Sequence, residues 1–230
     1  MRKVFFVVVI LVSSMALYAL DFARESDLQN ECDHNNPTAC LQLGSMYHIG
    51  DGVKQNFSKA KELYAKACSL GLASGCSNLG FMYESGQIGQ NAAKAAEFYE
   101  KGCVLGDAGG CSSLAVLYEN GKGVSEDLQQ AVNYYDRACS SGSVSSCAHL
   151  ALLYEQVENY VYAAIYHQNA CDADSAKECT LIARMYYYGQ GVSQNEEKAA
   201  KLFKKACDLG DEIGCKNYEI VKNNTWYIKE

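Results

Sequence analysis

The residues whose chemistry stands out most are the cysteines, because the chain has 12 of them in six pairs with the same Cys-x7-Cys spacing. Thiolates can attack electrophiles or bind zinc, and two thiols can be oxidised to a disulfide. Zinc sites favour Cys-x-x-Cys spacings with a second pair or histidines nearby, and the chain has no such arrangement. An even number of cysteines at fixed intervals is typical of a disulfide framework. The predicted disulfides are Cys32–Cys40, Cys68–Cys76, Cys103–Cys111, Cys139–Cys147, Cys171–Cys179 and Cys207–Cys215.

Two other patterns were candidates for an enzyme site. Ser58 and Lys61 match the Ser-x-x-Lys element of serine β-lactamases by letters, but the companion Ser-Asp-Asn and Lys-Thr-Gly elements are absent from the sequence. Four histidines are spread along the chain without a His-x-His or His-Glu-x-x-His pattern. The sequence therefore identifies no catalytic residue and leaves enzyme activity open, predicts no metal site and no cofactor, and places Ser58 on the exposed surface of a helix. The histidines are His34, His48, His149 and His167.

The regular spacing of the cysteines indicates a repeat protein. The first cysteines of successive pairs lie 36, 35, 36, 32 and 36 residues apart. A period near 35 residues is typical of stacked helical units, each too small to bury a core alone. We predict five repeats in one continuous domain, with a capping half-repeat at 20–39 and another at 215–230. The repeats are 40–75, 76–110, 111–146, 147–178 and 179–214.

Each repeat carries the pattern of two helices. Three, four and seven residues after the second cysteine of a pair stand apolar or small residues, as in Leu43, Gly44 and Tyr47, which share one face of a helix that we call helix A. A glycine-rich turn follows, which reads Gly-x-Gly-Val in the first, third and fifth repeats, and then a residue able to cap a second helix, helix B. The sequence thus predicts an all-α fold, a right-handed α-solenoid of stacked αα-hairpins. The predicted caps are Asn56, Asn91, Asp127, Asn159 and Asn195.

The fourth repeat departs from the others at two places. It is four residues short, and the alignment places the gap in the turn before Asn159, where the Gly-x-Gly-Val element is missing. Its helix B also carries His167 where the other repeats have tyrosine or phenylalanine. Because loops accept deletions that packed helices do not, both helices are expected to keep their register.

The spacing of the cysteines also predicts where the chain turns. Two residues eight apart on one straight α-helix would be about 12 Å apart, whereas disulfide-bonded Cα atoms lie within about 7 Å of each other. The chain must therefore fold back between them, so that each bond links the end of helix B to the start of the next helix A. Closing such a loop stabilises the folded state by about 2.5 kcal/mol on the chain-entropy model.

The N-terminal residues and the charge predict where the protein acts. A short basic start is followed by an apolar run from Val4 to Val12 and by small residues up to Ala19, which is typical of a secretory signal peptide at 1–19. A membrane anchor is the weaker alternative, because the run is shorter than the roughly 20 residues that span a bilayer. The net charge of −7 disfavours nucleic acid and anionic lipid as partners. We expect a secreted or periplasmic protein that is monomeric and not inserted in a membrane.

The repeat residues resemble those of the Sel-one-like repeat, a relative of the tetratricopeptide repeat. The resemblance covers residues 32–218 and rests on Leu-Gly/Ala-x-x-Tyr in helix A, the Gly-x-Gly-Val turn, and the Lys-Ala pairs of helix B, such as Lys59-Ala60. With a signal peptide and Cys-x7-Cys in every unit, the chain looks specifically like the Helicobacter cysteine-rich protein family. That resemblance implies a secreted, disulfide-linked solenoid with penicillin-binding or weak β-lactamase activity, while Sel-one-like proteins more broadly bind other proteins.

A stacked array of helical hairpins presents a concave surface lined by its A helices. Positions two and five residues after each leading cysteine are predicted to point there, with an apolar strip flanked by polar groups; the alternative is that these side chains pack as core. The first functional hypothesis is binding of a protein, peptide or peptidoglycan-related ligand on this surface. The second is β-lactam binding or weak β-lactam hydrolysis, and the third is an envelope role without a ligand. The predicted ligand-binding residues are Asn78, Phe81, Val116, His149, Leu152 and Arg184.

Overall fold

The computed structural model describes residues 23–226, and the predicted signal peptide at 1–19 lies outside this range. Residues 23–226 form twelve α-helices and contain no β-strand, so the all-α prediction is confirmed. None of these helices is long and apolar enough to cross a membrane. The helices are α1 (23–33), α2 (Pro37–Ile49), α3 (Phe57–Ser69), α4 (Ala73–Glu84), α5 (Ala92–Val104), α6 (Ala108–Glu119), α7 (Leu128–Ser140), α8 (Val144–Gln156), α9 (Tyr160–Asp172), α10 (Ala176–Tyr188), α11 (Glu196–Asp208) and α12 (Glu212–Trp226).

The chain divides into two compact units. The first unit contains the described residues up to Gly110 together with Gly121–Glu126, and the second contains Cys111–Asn120 and the described residues from Asp127 onward. In the first unit, α2 packs against α3, α3 against α4 and α4 against α5; in the second unit, each helix from α7 to α11 packs against the next helix of the chain. Even-numbered helices from α2 to α10 are the predicted A helices, and odd-numbered helices from α3 to α11 are the B helices. Within a unit, helical hairpins therefore stack on their neighbours along the chain.

Close packing of the two helices in a hairpin depends on the small residue of helix A. Leu43 and Tyr47 face the core and are 0% and 6% exposed. A Cβ atom added at Gly44 would lie 2.8 Å from the Tyr64 ring of helix B, well inside the separation at which carbon atoms attract. The backbone of helix A therefore lies directly against the aromatic residue of helix B.

Helix B starts at the predicted cap in all five repeats. The cap side chain accepts a hydrogen bond from a backbone N–H three residues on, for example from Lys59 to Asn56 at 3.1 Å. The backbone N–H of each cap also donates to the carbonyl of the tyrosine in helix A. This distance is 2.8 Å in the short fourth turn, from Asn159 to Tyr154, and 2.8 Å in the full-length fifth turn. The four-residue deletion therefore leaves both helices in register, as predicted.

Glycine has two roles in the full-length turns. Gly189 ends α10 with a φ of 72°, in the left-handed region that glycine adopts without strain. Gly191 lies against the start of α9, where an added Cβ would be 2.1 Å from the carbonyl oxygen of Tyr160. In the short fourth turn the left-handed position is taken by Glu158, with a φ of 56°. Since a residue with a Cβ atom is less stable there by roughly 1–2 kcal/mol, the short turn carries strain that the full-length turns avoid.

Disulfides link the last turn of helix B to the first turn of the next helix A, as predicted. The Cα atoms of the bonded pairs are between 4.4 and 4.7 Å apart. Helix A begins three residues before its cysteine, so the cysteine lies in the first turn and reaches back to the preceding helix. Cys103 and Cys111 each take part in a disulfide as well, and no cysteine between residues 23 and 226 is free. The bonded pairs are Cys32–Cys40, Cys68–Cys76, Cys139–Cys147, Cys171–Cys179 and Cys207–Cys215.

Candidate functional site

The six residues predicted to bind a ligand lie on helix A of the second to fifth repeats. Three of them are apolar, share one helical position and are exposed by 47% at Phe81, 42% at Val116 and 45% at Leu152. The residues two positions before them, such as Leu79 and Leu150, are at most 2% exposed. The three apolar residues therefore belong to the surface rather than to the core. We call the exposed side of the A helices that carries them the helix-A face.

The helix-A face is present in both units. In the first unit, α4 carries Phe81 and the half-buried Asn78, and the Phe81 ring centre lies 6.2 Å from that of His48. In the second unit, α6 carries Val116 and α8 carries Leu152. The second unit therefore contributes two apolar residues of this face from neighbouring repeats.

His149, also on α8, is held in a hydrogen-bonded cluster. Its Nε2 atom lies 3.2 Å from Oε1 of Glu119, and its ring centre lies 4.5 Å from that of Tyr135. The Tyr135 hydroxyl donates to the other oxygen of Glu119 at 2.6 Å. Burial, together with this carboxylate, raises the pKa of the Tyr135 phenol well above its ordinary value. The half-exposed imidazole therefore adds a fixed polar group beside the apolar residues of the helix-A face.

Arg184 lines a cavity of about 350 Å³ in the second unit. The other walls include Tyr160, Tyr188 and Glu155. Within residues 23–226, Arg184 forms no ion pair, and its side chain is exposed. A guanidinium has five donors in a fixed planar arrangement that suits a carboxylate. The cavity is therefore suited to bind the carboxylate of a ligand between a cation and two phenol rings.

A buried network around His167 lies next to this cavity and was not predicted. The His167 side chain is 0% exposed, its Nδ1 lies 2.5 Å from Oε2 of Glu178, and its Nε2 lies 3.3 Å from Oε1 of Glu155. The sequence showed that His167 replaces an aromatic residue, but not what it contacts. The available signal was Glu178, because every other junction carries a small residue at that position. Those residues are Ala39, Gly75, Gly110, Ser146 and Gly214.

The Ser-x-x-Lys match lies at the start of α3. Ser58 is the second residue of α3 and is exposed, as the sequence predicted for a surface position. Lys61, the lysine of the Ser-x-x-Lys match, lies 5.8 Å from the centre of the Tyr83 ring on the next helix A. The lysine is therefore occupied in a cation–π contact between repeats.

The Lys-Ala pairs of helix B also have a structural role. The ammonium groups of Lys59 and Lys198 lie 4.5 and 4.0 Å from the ring centres of Tyr47 and Tyr186, the tyrosines of helix A in the same repeats. Lys59 also donates to the Tyr47 hydroxyl at 2.9 Å. The lysine thus covers the outer edge of the hairpin, while the alanine after it is fully buried.

Two-helix repeats, a small residue facing an aromatic one, and a disulfide at the junction define an all-α protein of the α-solenoid class. A model of the Sel1 repeat matches residues 37–72, 73–107, 108–143 and 179–211. Because the match covers more than half of the sequence, the chain belongs to the Sel1 repeat family, and the predicted resemblance is confirmed. The matched ranges leave out residues 144–178, which contain the short turn and His167.

Known proteins show the same similarity. A Sel1 repeat protein from Oxalobacter formigenes is 26% identical over 80% of this chain and 77% of that chain, with a TM-score of 0.63. Cysteine rich protein B of Helicobacter pylori is 34% identical over 55% of this chain and 96% of that chain, with a TM-score of 0.45. Cytochrome c oxidase assembly factor 7A of Xenopus laevis is 37% identical over 68 residues. The matched part spans 29% of that curated relative, less than a third of its length.

Proposed function

We propose that this protein is an exported, disulfide-linked scaffold that binds a segment of another protein on its helix-A face. The observation that carries the proposal is the repeated exposure of an apolar side chain at one position of helix A, at Phe81, Val116 and Leu152. A single exposed apolar residue needs no explanation. Three at equivalent positions of successive repeats, each beside fully buried neighbours, fit a surface selected for contact.

The chemistry of the second unit supports a peptide or helix as the ligand. Val116 and Leu152 offer apolar area, His149 offers a hydrogen-bonding group, and Arg184 offers a cation. An amphipathic helix or an extended segment presents apolar anchors flanked by polar groups in this way. Sel1 repeats generally mediate interactions between proteins, which agrees with this choice of ligand.

The proposed location is an oxidising compartment, either the periplasm or the outside of the cell. The disulfides support this location, because cytosolic thiols are kept reduced. The predicted signal peptide at 1–19 supports the same route of export. Mass spectrometry of the natively exported chain tests both supports of this location. The first residue of the chain shows whether the signal peptide is removed, and the mass difference between the reduced and unreduced chain shows whether the disulfides are formed.

The binding proposal is tested with the full disulfide-bonded chain as bait in the cell envelope under non-reducing conditions. Synthetic segments of each captured protein are then titrated against the purified chain. We expect the double substitution Val116→Asp and Leu152→Asp to weaken binding by at least about tenfold. The matched control is Ile213→Asp in α12, because Ile213 is apolar and 60% exposed but lies outside the helix-A face. Equal affinity of the parent and the double variant would disprove the helix-A face as the binding site.

β-Lactam binding with weak hydrolysis is a second candidate, favoured by the cavity at Arg184. The guanidinium there has no carboxylate partner among the described residues, and β-lactams carry a carboxylate. The test is nitrocefin turnover by the purified chain, with Arg184→Ala expected to reduce it and Ser58→Ala expected to leave it unchanged. Turnover no faster than in a buffer blank removes this candidate and leaves the scaffold proposal untouched.

A further inference from the structure

The short turn of the fourth repeat leaves an apolar cavity open in the second unit. The cavity measures about 310 Å³ and lies between the start of α7 and the end of α8. Leu128, Val132, Leu153 and Val157 line it, together with Tyr154. Leu128 is 61% exposed and Val157 is 70% exposed. Val116, His149, Leu152 and Arg184 do not line it, so this cavity is distinct from the helix-A face.

The fifth repeat shows what normally covers this place. Its Gly-x-Gly-Val turn folds over the start of α9, the helix B of the repeat before it. Gly191 lies against the carbonyl group of Tyr160, the first residue of α9. Val192, the next residue, is partly buried and packs on the core cluster that contains Ala163 and Ala164, with Tyr160 at its edge.

The same contact recurs in the first unit. Gly123 of the third turn lies against Ala92, the first residue of α5, so closely that an added Cβ would be 2.3 Å from the Ala92 carbonyl carbon. Val124 is partly buried there. Two turns from different repeats therefore cover the start of the preceding helix B in the same way, with a glycine against its backbone and a partly buried valine as the next residue.

By repeat equivalence, the start of α7 is the place that the fourth turn would cover. Leu128 corresponds to Tyr160, and Tyr154 corresponds to Tyr186. Ala92 and Tyr160 are partly buried, whereas Leu128 is exposed. The missing residues are those of the Gly-x-Gly-Val element. The cavity is therefore lined by the residues that a Gly-x-Gly-Val turn would contact, but the fourth repeat has no such turn to fill it.

We propose that this cavity binds a turn of another protein in which a glycine precedes a valine or isoleucine. The glycine lies against the backbone at the start of α7, since a Cβ atom has no room in the two equivalent contacts of this chain. The β-branched side chain enters the cavity between Leu128, Val132 and Tyr154. A volume of about 310 Å³ is near the lower limit of roughly 300 Å³ for ligand pockets, which suits one aliphatic side chain with its backbone.

This inference rests on the proposed function and adds a second, separate contact with the partner protein. The inference can be disproved while binding on the helix-A face still holds. The probe is a peptide with the sequence of the fifth turn, Gly-Gln-Gly-Val-Ser-Gln, closed by a disulfide between added terminal cysteines so that it is preorganised. Methyl NMR spectra of the full disulfide-bonded chain are recorded at up to roughly millimolar peptide. Because no described cysteine is free, no thiol among these residues attacks the peptide disulfide.

We expect saturable shifts of the methyl signals of Leu128, Val132, Leu153 and Val157, with the signals of Val116 and Leu152 unchanged. Changing the second glycine of the peptide to alanine, or its valine to aspartate, should weaken binding by at least about tenfold. Leu128→Lys in the protein should do the same, whereas Ile213→Lys, at an equally exposed position, should have no effect.

The decisive variant restores the missing turn. Replacing residues 157–158 by a copy of residues 189–194 adds the four absent residues and should abolish peptide binding, because the chain then fills its own cavity. Retained binding in this variant would overturn the inference. Unshifted cavity methyls in the parent chain would also overturn it, while leaving the test of Val116 and Leu152 unaffected.

Discussion

The third and fourth repeats solve the same packing problem with different chemistry. In the third repeat, the helix B aromatic is Tyr135, whose hydroxyl donates to Glu119 at 2.6 Å. In the fourth repeat, His167 takes that place and contacts two carboxylates, Glu155 of helix A and Glu178 of the next junction. Glu155 is the equivalent of Glu119, so the one new partner is Glu178.

The difference teaches that the position accepts a polar ring when its neighbours change with it. A phenol has one polar atom to satisfy, whereas an imidazole has two ring nitrogens. Buried polar atoms without partners are costly, and the second nitrogen of His167 would lose its carboxylate partner if its junction carried glycine. A glutamate at position 178 supplies that partner. His167 and Glu178 are therefore one coupled substitution, in which each residue depends on the other.

The largest predicted effect comes from separating these two residues. His167→Leu leaves the carboxylate of Glu178, a residue only 4% exposed, without its closest hydrogen-bond partner. We expect the free energy of unfolding to fall by about 3 kcal/mol. The measurement is urea unfolding with the disulfides intact, and the matched control is His149→Leu. That imidazole side chain is 39% exposed and contacts Glu119 at the surface, so its loss should cost less than about 1 kcal/mol.

The same comparison predicts a rescue. The double variant His167→Tyr and Glu178→Gly recreates the Tyr/Gly pair of the first and second repeats, with a phenol able to donate to Glu155. It should be more stable than His167→Tyr alone by about 2 kcal/mol, since the single change leaves Glu178 unpaired. Additive effects of the two substitutions would mean that His167 and Glu178 are independent.

The disulfides that follow the third and fourth repeats should contribute equally to stability. Cys139–Cys147 and Cys171–Cys179 close loops of equal length, at Cα separations of 4.7 and 4.5 Å. Replacing either pair by alanine should lower the free energy of unfolding by about 2.5 kcal/mol, because the chain-entropy model depends on loop length alone. Chemical unfolding of the two double variants measures this. If the loss of unfolding free energy were severalfold larger for the Cys171–Cys179 variant, the fourth junction would depend more on its disulfide than the third junction does.

The sequence predicted the parts of this architecture that depend on local spacing. The caps of helix B, the buried positions of helix A and the disulfides each follow from residues within one hairpin or one junction, as at Asn159 and Gly44. The deletion in the fourth turn was placed correctly because a shortened loop can still return the cap to the same hydrogen bond. Exposure of Phe81, Val116 and Leu152 followed from helical periodicity, whereas ligand binding by these residues remains a prediction.

What the sequence did not predict depends on contacts between repeats. Glu178 reaches back eleven residues across a junction to His167, and nothing in the helical period of either helix marks that contact. The apolar cavity likewise could not be foreseen, because a turn covers the helix of the preceding repeat rather than its own. The contacts of Gly191 with Tyr160 and of Gly123 with Ala92 show that deleting a turn exposes the start of a helix in the preceding repeat.

Removing the backbone strain of the short turn should raise the free energy of unfolding, by less than the substitutions above lower it. Glu158 has a φ of 56°, so Glu158→Gly should relieve left-handed strain and raise the free energy of unfolding by about 0.5–1 kcal/mol after the entropy of glycine is counted. The fifth repeat supplies the control, since Gly191→Ala should lower stability by about 2 kcal/mol through its φ of 69° and its contact with Tyr160. Thermal unfolding of both variants tests the pair. A loss of stability in Glu158→Gly would show that the side chain makes a contact worth more than the strain.

Alkaline pH should also distinguish the two repeats, because the fourth repeat lacks a phenol at position 167. Burial and Glu119 raise the pKa of Tyr135 above the value near 10 of an unfolded chain. Below pH 10 both states keep the proton, so the stabilisation is fully present. Above pH 10 the unfolded state releases a proton that the folded state retains, and stability falls by up to about 1.4 kcal/mol per pH unit until the folded pKa is passed. Tyr135→Phe should therefore flatten the fall in urea midpoint between pH 10 and 11.5.

Tyr166 provides an independent check on that slope. Burial and its hydrogen bond to Asp136 at 2.7 Å raise the pKa of this phenol as well, so Tyr166→Phe should flatten the curve in the same direction. The double variant should show the sum of the two changes, because the phenols bond to different carboxylates. If Tyr135→Phe ran parallel to the parent from pH 8 to 11.5, the Tyr135 proton would not distinguish the folded from the unfolded chain. The third repeat would then depend on the Tyr135 ring for packing alone, and a buried hydrogen-bond network would be particular to the fourth.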